Sequence, residues 1–332
     1  MKVLFIGGTG IISSACSELA IQQGIELYLL NRGLSIRPAP AGAISLLADI
    51  RQPDTVAEAL GDLTFDSVVD WVAFTPQQVR TDIRLFHKRT GQYIFISSAS
   101  AYQKPPSSLP ILESTPLTNP FWQYSRDKAA CEALLEHVGS QDGFPFTIVR
   151  PSHTYDRTLL PFDGGYTIVA RMRAGKPVVV HGDGTSLWTL THHRDFAVGF
   201  VSLLGNSYAI GQSYHITSDE SLSWNQIYAF VAQAAGTEAK LVHVPSELIA
   251  RYDPEWGCSL LGDKAHSVVF DNHKIRQLVP EFHAVIPFWQ GAQEIMAWYD
   301  ADASRRVVDP AVDELQDRLI AAMERAWPAY NN

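Results

Sequence analysis

The feature that most constrains this chain stands near its start. Phe5-Ile6-Gly7-Gly8-Thr9-Gly10-Ile11-Ile12-Ser13 directly follows a short apolar run, 2–6, and opens a helical pattern. Gly7 can take the positive φ of a tight turn, and Gly10 lets the backbone come close to a pyrophosphate. The first helical N–H groups, at Ile11 and Ile12, supply donors and a favourable dipole. The spacing is GxxGxx followed by Ser, not the commoner GxGxxG. Ser13 stands where a third glycine is usual, which predicts slightly looser packing of helix on strand. A glycine turn that binds nothing is the plainer reading. A turn at residue 7 between strand and helix favours dinucleotide binding.

The pattern that follows supports this. Runs rich in β-branched and aromatic residues at 2–6, 26–30, 43–47, 67–72, 93–97 and 146–150 alternate with helical stretches at 11–23, 53–60, 76–88 and 123–137. Such alternation reads as βαβ units and a parallel sheet. In the last helix Ala129, Leu134 and Leu135 can share an inward stripe while Arg126, Asp127 and Glu136 face solvent. After Pro151 the elements shorten: helices near 166–174, 194–204 and 223–236, a strand at 177–180 and a closing amphipathic helix over 312–327. The expected architecture is α/β, a Rossmann-type doubly wound parallel sheet with a smaller C-terminal substrate-binding lobe. Residues 1–150 form the NAD(P)-binding domain; 151–332 form mainly the lobe, with some segments returning to the sheet.

Charge and composition narrow the ligand. A net charge of −9 argues against a broad nucleic-acid footprint. No apolar stretch approaches the roughly 20 residues needed to cross a bilayer, and the first strand begins right after Met1, so a cytoplasmic location is expected. Cys16, Cys131 and Cys258 form no disulfide or zinc spacing, and His153 with the His192-His193 pair lacks a third ligand, so no metal site is expected. A small molecule is the expected partner.

The second strand ends in Asn31-Arg32-Gly33, where an acid would ordinarily take the adenine ribose hydroxyls of NAD. Asn followed by Arg suits a 2′-phosphate, which favours NADP over NAD, unless Arg32 stacks on adenine or sits in solvent. Asp49 and Ile50, just past the third strand, are placed to meet the adenine ring.

Tyr124-Ser125-Arg126-Asp127-Lys128 is a YxxxK motif, and Ser97-Ser98-Ala99-Ser100-Ala101-Tyr102 precedes it. With the glycine turn, these segments resemble the extended and atypical short-chain dehydrogenases/reductases, the NAD-dependent epimerase/dehydratase family. The resemblance covers roughly 1–275 and takes in Arg150-Pro151, Arg194-Asp195 and Phe270-Asp271-Asn272 with Lys274. It implies Ser98 as the catalytic serine, with Ser97 the second choice, Tyr124 as proton donor or acceptor, and Lys128 as holder of the nicotinamide ribose. The family's catalytic Asn has no obvious counterpart; Asp82 is the candidate for its place, or an exposed helix acid near Arg80 and Arg84. Physical chemistry explains the pair: residues four apart share a helix face, and a phenol must drop by roughly three pKa units, about 4 kcal/mol, to act as a base at neutral pH. An ammonium about 4 Å away in an effective dielectric near 20 supplies roughly that.

The family's 4,6-dehydratases carry an acid pair after their serine or threonine, whereas Ala99 and Ser100 stand here. That disfavours elimination and leaves hydride transfer on a sugar or sugar nucleotide, as an epimerase or a ketone/alcohol oxidoreductase. Candidate substrate contacts are Thr154, Tyr155, Arg157, His193 and Arg194; Trp188 and Trp256 either stack on a sugar or fill the core. Two other readings stand beside this one. The Asn-Arg-Gly strand end and the Ile-Ser-Ser-Ala-Ser-x-Tyr segment also resemble the chloroplast stem-loop RNA-binding relatives of the family, which implies a non-catalytic nucleotide- or RNA-binding protein. The other is a cofactor-dependent redox sensor. A homodimer is what the resemblance implies for assembly.

Overall fold

The structure, a computed structural model, describes residues 1–326. Its first half contains β1 (Lys2–Ile6), α1 (Ile11–Gln22), β2 (Glu26–Asn31), β3 (Ile44–Leu47), α2 (Pro53–Leu60), β4 (Ser67–Asp70), α3 (Pro76–Phe86), β5 (Tyr93–Ile96), α4 (Gln123–Asp142) and β6 (Phe146–Pro151). The second half contains β7 (His153–Tyr155), α5 (Tyr166–Arg173), β8 (Val178–His181), β9 (Leu187–Trp188), β10 (Leu190–His192), α6 (His193–Val201) and β11 (Gln212–Ile216). They are followed by β12 (Leu222–Ser223), α7 (Trp224–Ala234), β13 (Leu241–Val244), α8 (Ser246–Tyr252), α9 (Pro254–Ser259), α10 (His273–Leu278), α11 (Phe288–Asp300) and α12 (Pro310–Ala326).

Seven strands form one parallel sheet in the order β11-β6-β5-β4-β1-β2-β3. Side chains of a strand alternate between faces, so β1 feeds two cores. Val3 and Phe5 join Cys16 of α1 and Phe196 and Phe200 of α6, while Leu4 and Ile6 join Val56, Phe86 and Leu135 on the other side. The chain runs from β1 out to β3 and then returns to β4 on β1's other flank. Between β1 and β4 the winding therefore reverses, and ligands of open α/β sheets bind at the strand ends beside such a point.

Several boundaries differ from expectation for local reasons. β4 stops at Asp70 instead of residue 72 because the Asp70 carboxylate accepts from the Val72 and Ala73 N–H groups and folds the chain into a turn. α4 continues past His137 to Asp142 and ends at Gly143, whose φ of 68° is the left-handed cap that glycine favours. Its inward stripe is Ser125, Lys128, Cys131, Glu132 and Leu135, not the more apolar one expected around Ala129 and Leu134. The expected helix at 194–204 is α6, already ended at Val201.

Two elements of the C-terminal half lie on the sheet, β11 at its edge and α6 on its face. The remaining short strands pair two by two: β7 with β10, β9 with β12 and β8 with β13. α11, not anticipated in the sequence, buries Phe288, Ala292, Ile295 and Met296 against this second core. Trp327, at the end of the expected closing helix, lies outside the described residues. Among the described residues no helix is long and apolar enough to cross a membrane.

Candidate functional site

The glycine turn has the geometry its sequence requires at Gly7. There φ is +88°, and a Cβ would lie 2.6 Å from Val72 Cγ1, so a side chain is excluded twice over. Gly10 is the N-cap of α1 with an ordinary φ of −77°; what its lack of a side chain leaves open is space beside the helix start. Ser13 does more than replace a glycine. Its hydroxyl accepts from Gly10 N–H at 2.8 Å and donates to the Gly7 carbonyl at 3.0 Å, stapling the turn, and the residue is buried, so the looser packing expected at this position gives way to a cross-link. The first helical bond runs from Ser14 N–H to Gly10, which leaves the N–H groups of Ile11 and Ile12 outside the helix's own ladder.

A cleft of about 580 Å³ opens at the strand ends, walled by Gly7, Gly10, Asn31, Arg32, Asp49 and Ile50, with Asp70 and Asp82 at its far side. The side chains of Ile11 and Ile12 are not among its walls. The Asn31 side-chain oxygen accepts from Gly33 N–H at 2.9 Å, turning the chain, and Arg32 is exposed. Asp49 accepts from Arg51 N–H at 3.0 Å. Sequence reasoning missed Arg37, which reaches from the loop after β2 across to Asp156 (2.5 Å) and Thr158 (2.6 Å). Nothing in the local pattern announced that contact, whose partners lie far along the chain.

Asp82 is neither an exposed helix acid nor a neighbour of Tyr124. It is buried, accepts from the Tyr93 hydroxyl at 2.7 Å, and has its pKa pushed well up by burial and by the adjoining Asp70 carboxylate. Its carboxyl is thus paired with Tyr93 and Asp70, and it walls the cleft, whereas Tyr124 walls a different cavity.

Ser98, Tyr124 and Lys128 do come together. Chain alternation after β5 turns Ser97 inward to the Glu132 carboxylate and leaves Ser98 on the wall of a second cavity of about 300 Å³. Ser98 Oγ lies 2.9 Å from Ser100 Oγ, which accepts from Ser125 at 2.8 Å, so the serine is held from behind by α4. Tyr124 walls the same cavity. Lys128 Nζ donates to the carbonyls of Ala73 (2.6 Å) and Ile96 (2.7 Å) and lies 5.9 Å from the Tyr124 ring centre. Ala73 also walls the cleft, so its carbonyl ties Lys128 to that wall, while Lys128 itself walls neither space.

The electrostatics differ from the simple ion–phenol estimate. Burial pushes the Tyr124 phenol up, a hydrogen bond with Ser98 pulls it down, and Asp263 adds to the rise. Burial pushes Lys128 down to about 8. An ammonium committed to two carbonyls does not hold the phenol down, so the protonated phenol is the resting form.

A buried frame fixes these elements. Arg150 at the end of β6 grips Glu132 of α4, with Nη2 to Oε2 at 2.6 Å, and donates to the Tyr102 hydroxyl at 3.0 Å. Tyr102 is in turn 3.1 Å from His215 Nδ1, whose other nitrogen is bonded to the Asp271 carbonyl. Arg150 and Asp271 therefore serve the frame beneath the site, while their neighbours Pro151 and Phe270 wall the cavity itself.

None of the five expected substrate contacts walls the cavity at Tyr124. Thr154 is buried; Tyr155 packs edge-on against His192 and Phe288, with ring centres 5.3 Å apart in each case. Arg157 is exposed, His193 Nδ1 is bonded to the Ile11 carbonyl beside the glycine turn, and Arg194 pairs with Glu294. The cavity is walled instead by Ser152, His153, Trp188, Thr189, Asp263 and Lys264. Trp188 is at once core and wall, whereas Trp256 packs with Leu260, Leu319 and Ile320. Asp263 brings a carboxyl into the cavity that the Ala99-Ser100 segment lacks, so the argument against elimination rests on that segment alone.

Comparison with known proteins gives the same outline. The chain is 25% identical over 288 residues to the 2′-dehydrokanamycin reductase of Streptomyces kanamyceticus, a match spanning 85% of this chain and 80% of that one. It is 26% identical over 257 residues to the chloroplast stem-loop binding protein of 41 kDa b of Arabidopsis thaliana, spanning 73% of this chain and 65% of the other. The solved UDP-glucose 4-epimerase of Bifidobacterium longum, in complex with NAD+ and UDP, shares the fold with a TM-score of 0.73 at 18% identity, over 92% of this chain and all of that one. The profile described as the NAD dependent epimerase/dehydratase family matches residues 3–217, and with the reversed winding and glycine turn at its core the chain belongs to that family.

Proposed function

We propose that this protein catalyses NAD(P)-dependent hydride transfer on a sugar or sugar-nucleotide-like substrate, as a ketone/alcohol reductase or an epimerase. The observation that carries this reading is the junction at Ala73: a wall of the cleft whose carbonyl receives Lys128, one helical turn from the Tyr124 that walls the cavity. The residues present fit a dinucleotide. A Cβ-free turn, two helical N–H groups outside the ladder and a cleft running past Asp49 and Ile50 make a cradle for a pyrophosphate and a flat base. A dinucleotide held there would supply or accept the hydride.

Ser98 and Tyr124 then act on the substrate oxygen. Ser98 donates a hydrogen bond to a carbonyl, and the phenol, protonated at rest, passes its proton to that oxygen as it becomes an alcohol. The raised phenol favours the reductive direction in the ligand-free protein. The substrate class is supported by relatives whose names carry sugar chemistry, a 2′-dehydrokanamycin reductase and a UDP-glucose 4-epimerase. The stem-loop binding relative supports a nucleic-acid reading, which the net charge of −9 weighs against.

The direct test is isotope transfer. A cofactor deuterated at the reacting position of its nicotinamide should deliver the label to one carbon of the sugar product, with one configuration, on mass and proton spectra. A product formed without label would sink net reduction by the dinucleotide, and retention of label on the cofactor after turnover would point to epimerisation. For cofactor choice, Arg32 is a cation on the cleft wall where β2 carries no acid. Arg32→Ala is expected to weaken NADPH binding about tenfold and leave NADH within about twofold, the loss of one charge-assisted contact. Equal weakening of both, measured by fluorescence titration, would assign Arg32 to the adenine and not to a 2′-phosphate.

A further inference from the structure

The cavity at Tyr124 has two features that its walls do not explain. Trp188 Nε1 and His153 Nε2 are buried polar atoms with no hydrogen-bond partner among the described residues, and both residues wall the cavity. Trp188 is 3% exposed. Its indole N–H is a donor only, and a buried donor without a partner costs free energy unless a ligand or water completes it. Trp71 Nε1 and the Tyr155 hydroxyl are likewise unpartnered, but neither residue lines the cleft or the cavity at Tyr124. His153 is kept a neutral imidazole by burial and by nearby Lys264, which push its pKa down to about 3. It thus offers a hydrogen-bonding nitrogen and no charge. The two rings meet edge to face, with centres 6.4 Å apart, on the wall of one cavity.

Size limits what that region holds. About 300 Å³ lies at the bottom of the range for small-molecule pockets and equals about ten water volumes. One hydroxylated six-membered ring fills this; a ring joined to a nucleoside diphosphate extends out of it. The adjoining cavity, which shares Trp122 and Lys264 with it, has Asp163, Asp253 and Glu255 on its walls. A diphosphate extending that way would meet three carboxylates and one ammonium, a net repulsion.

We infer that the substrate is a single sugar ring carried on no nucleoside diphosphate, with ring hydroxyls read by Trp188 Nε1 and His153. This rests on the hydride-transfer reading of the same site and deepens it. Trp188 donates to a hydroxyl oxygen of the ring while His153 bonds a neighbouring hydroxyl, and together they turn the reacting carbon toward Tyr124. Both are specificity-determining residues; the proton chemistry stays with Tyr124.

The test uses the full chain with saturating oxidised cofactor, so that nucleotides cannot be scored through the cleft. Methyl glycosides of glucose, galactose, mannose and 2-amino-2-deoxyglucose, with their monodeoxy analogues and UDP-glucose, are compared by saturation-transfer NMR and by reduction of the cofactor. At least one methyl glycoside is expected to bind, and no less tightly than UDP-glucose. Trp188→Phe and His153→Leu should each weaken it about tenfold, the loss of one buried hydrogen bond. For the monodeoxy analogue lacking the hydroxyl that Trp188 meets, wild type and Trp188→Phe should bind alike, an equality that general damage to the pocket does not produce. Unchanged cofactor affinity confirms that a variant is folded, and His153→Leu carries the test if Trp188→Phe is not. No glycoside binding, UDP-glucose binding tenfold tighter, or normal glycoside binding in the folded variants would overturn the inference. Glycoside binding that depends on Trp188 without cofactor reduction would leave this inference standing and remove hydride transfer. Tyr124-dependent reduction that ignores Trp188 and His153 would do the reverse.

Discussion

Tyr124→Phe is expected to lower turnover by about 10²–10⁴-fold, the usual worth of a positioned general acid or base, while cofactor affinity stays within about twofold. The ring remains, so its contacts with Phe74 and Trp122, at 6.2 and 5.0 Å between centres, are kept and the pocket wall does not collapse. Only the hydroxyl is lost, with its proton and its hydrogen bond to Ser98. The pH profile supplies a second reading of the same group. Lys128 in the ligand-free protein titrates near 8, held down first by burial. If its ammonium holds the cofactor ribose, binding raises that pKa. The ammonium's share of the affinity is then fully present below about pH 8 and is lost as pH rises through the bound value. Titrations between pH 6.5 and 9.5 should show cofactor affinity falling on the alkaline side in wild type and in Tyr124→Phe alike, and flat in Lys128→Met. Full turnover in Tyr124→Phe would remove the phenol from the chemistry, and an alkaline fall that persists in Lys128→Met would assign it elsewhere.

Glu132→Ala is expected to be the most destabilising single change near the site, by roughly 3–5 kcal/mol, because it strips the partner from a buried guanidinium. Arg150 and Glu132 side chains are 4% and 1% exposed, and the pair meets at 2.6 Å. Ser97 and Arg150 would lose their common acceptor together. Adding Arg150→Met to Glu132→Ala should recover part of the loss, since the unpaired charge is gone, but not all. Arg150 also serves the Tyr102 hydroxyl and the Glu113 carbonyl, which the double variant leaves without that donor. Urea denaturation with an unchanged m-value checks the series. A loss under about 1 kcal/mol for the single variant would mean that the pair is not the frame described.

Reading the chain in one dimension worked where structure is local. The strand-turn-helix at Gly7 was legible because positive φ and missing Cβ atoms are properties of single residues, and the first six strands because each is a compact apolar run. The inward face of α4 was not legible. Ser125, Lys128 and Glu132 are buried there, and each is made tolerable by a partner on another element: Ser100, the Ala73 and Ile96 carbonyls, and Arg150. A hydrophobic stripe leaves a periodic trace; a paired polar stripe leaves none. Asp82, expected either in the place of the catalytic Asn or as an exposed helix acid, is buried for the same reason, its company of Asp70 and Tyr93 arriving from two strands. At the cavity beside Tyr124 the expected pair is offset by two residues: it is Ser152 and His153, not Thr154 and Tyr155, that the chain presents to it.

By itself, then, the sequence determined the parallel sheet, the dinucleotide-type turn and the placing of Tyr124 and Lys128 one helical turn apart. All of these follow from φ preference, period and spacing within short segments. Tertiary structure alone decided which way Lys128 points, that burial raises the phenol's pKa, and which residues from β7, β9 and the π-helical segment Leu260–Lys264 close the cavity. Those outcomes depend on burial and on partners brought from distant segments. Desolvation and hydrogen bonding act through space, and no pattern of neighbours along the chain encodes them.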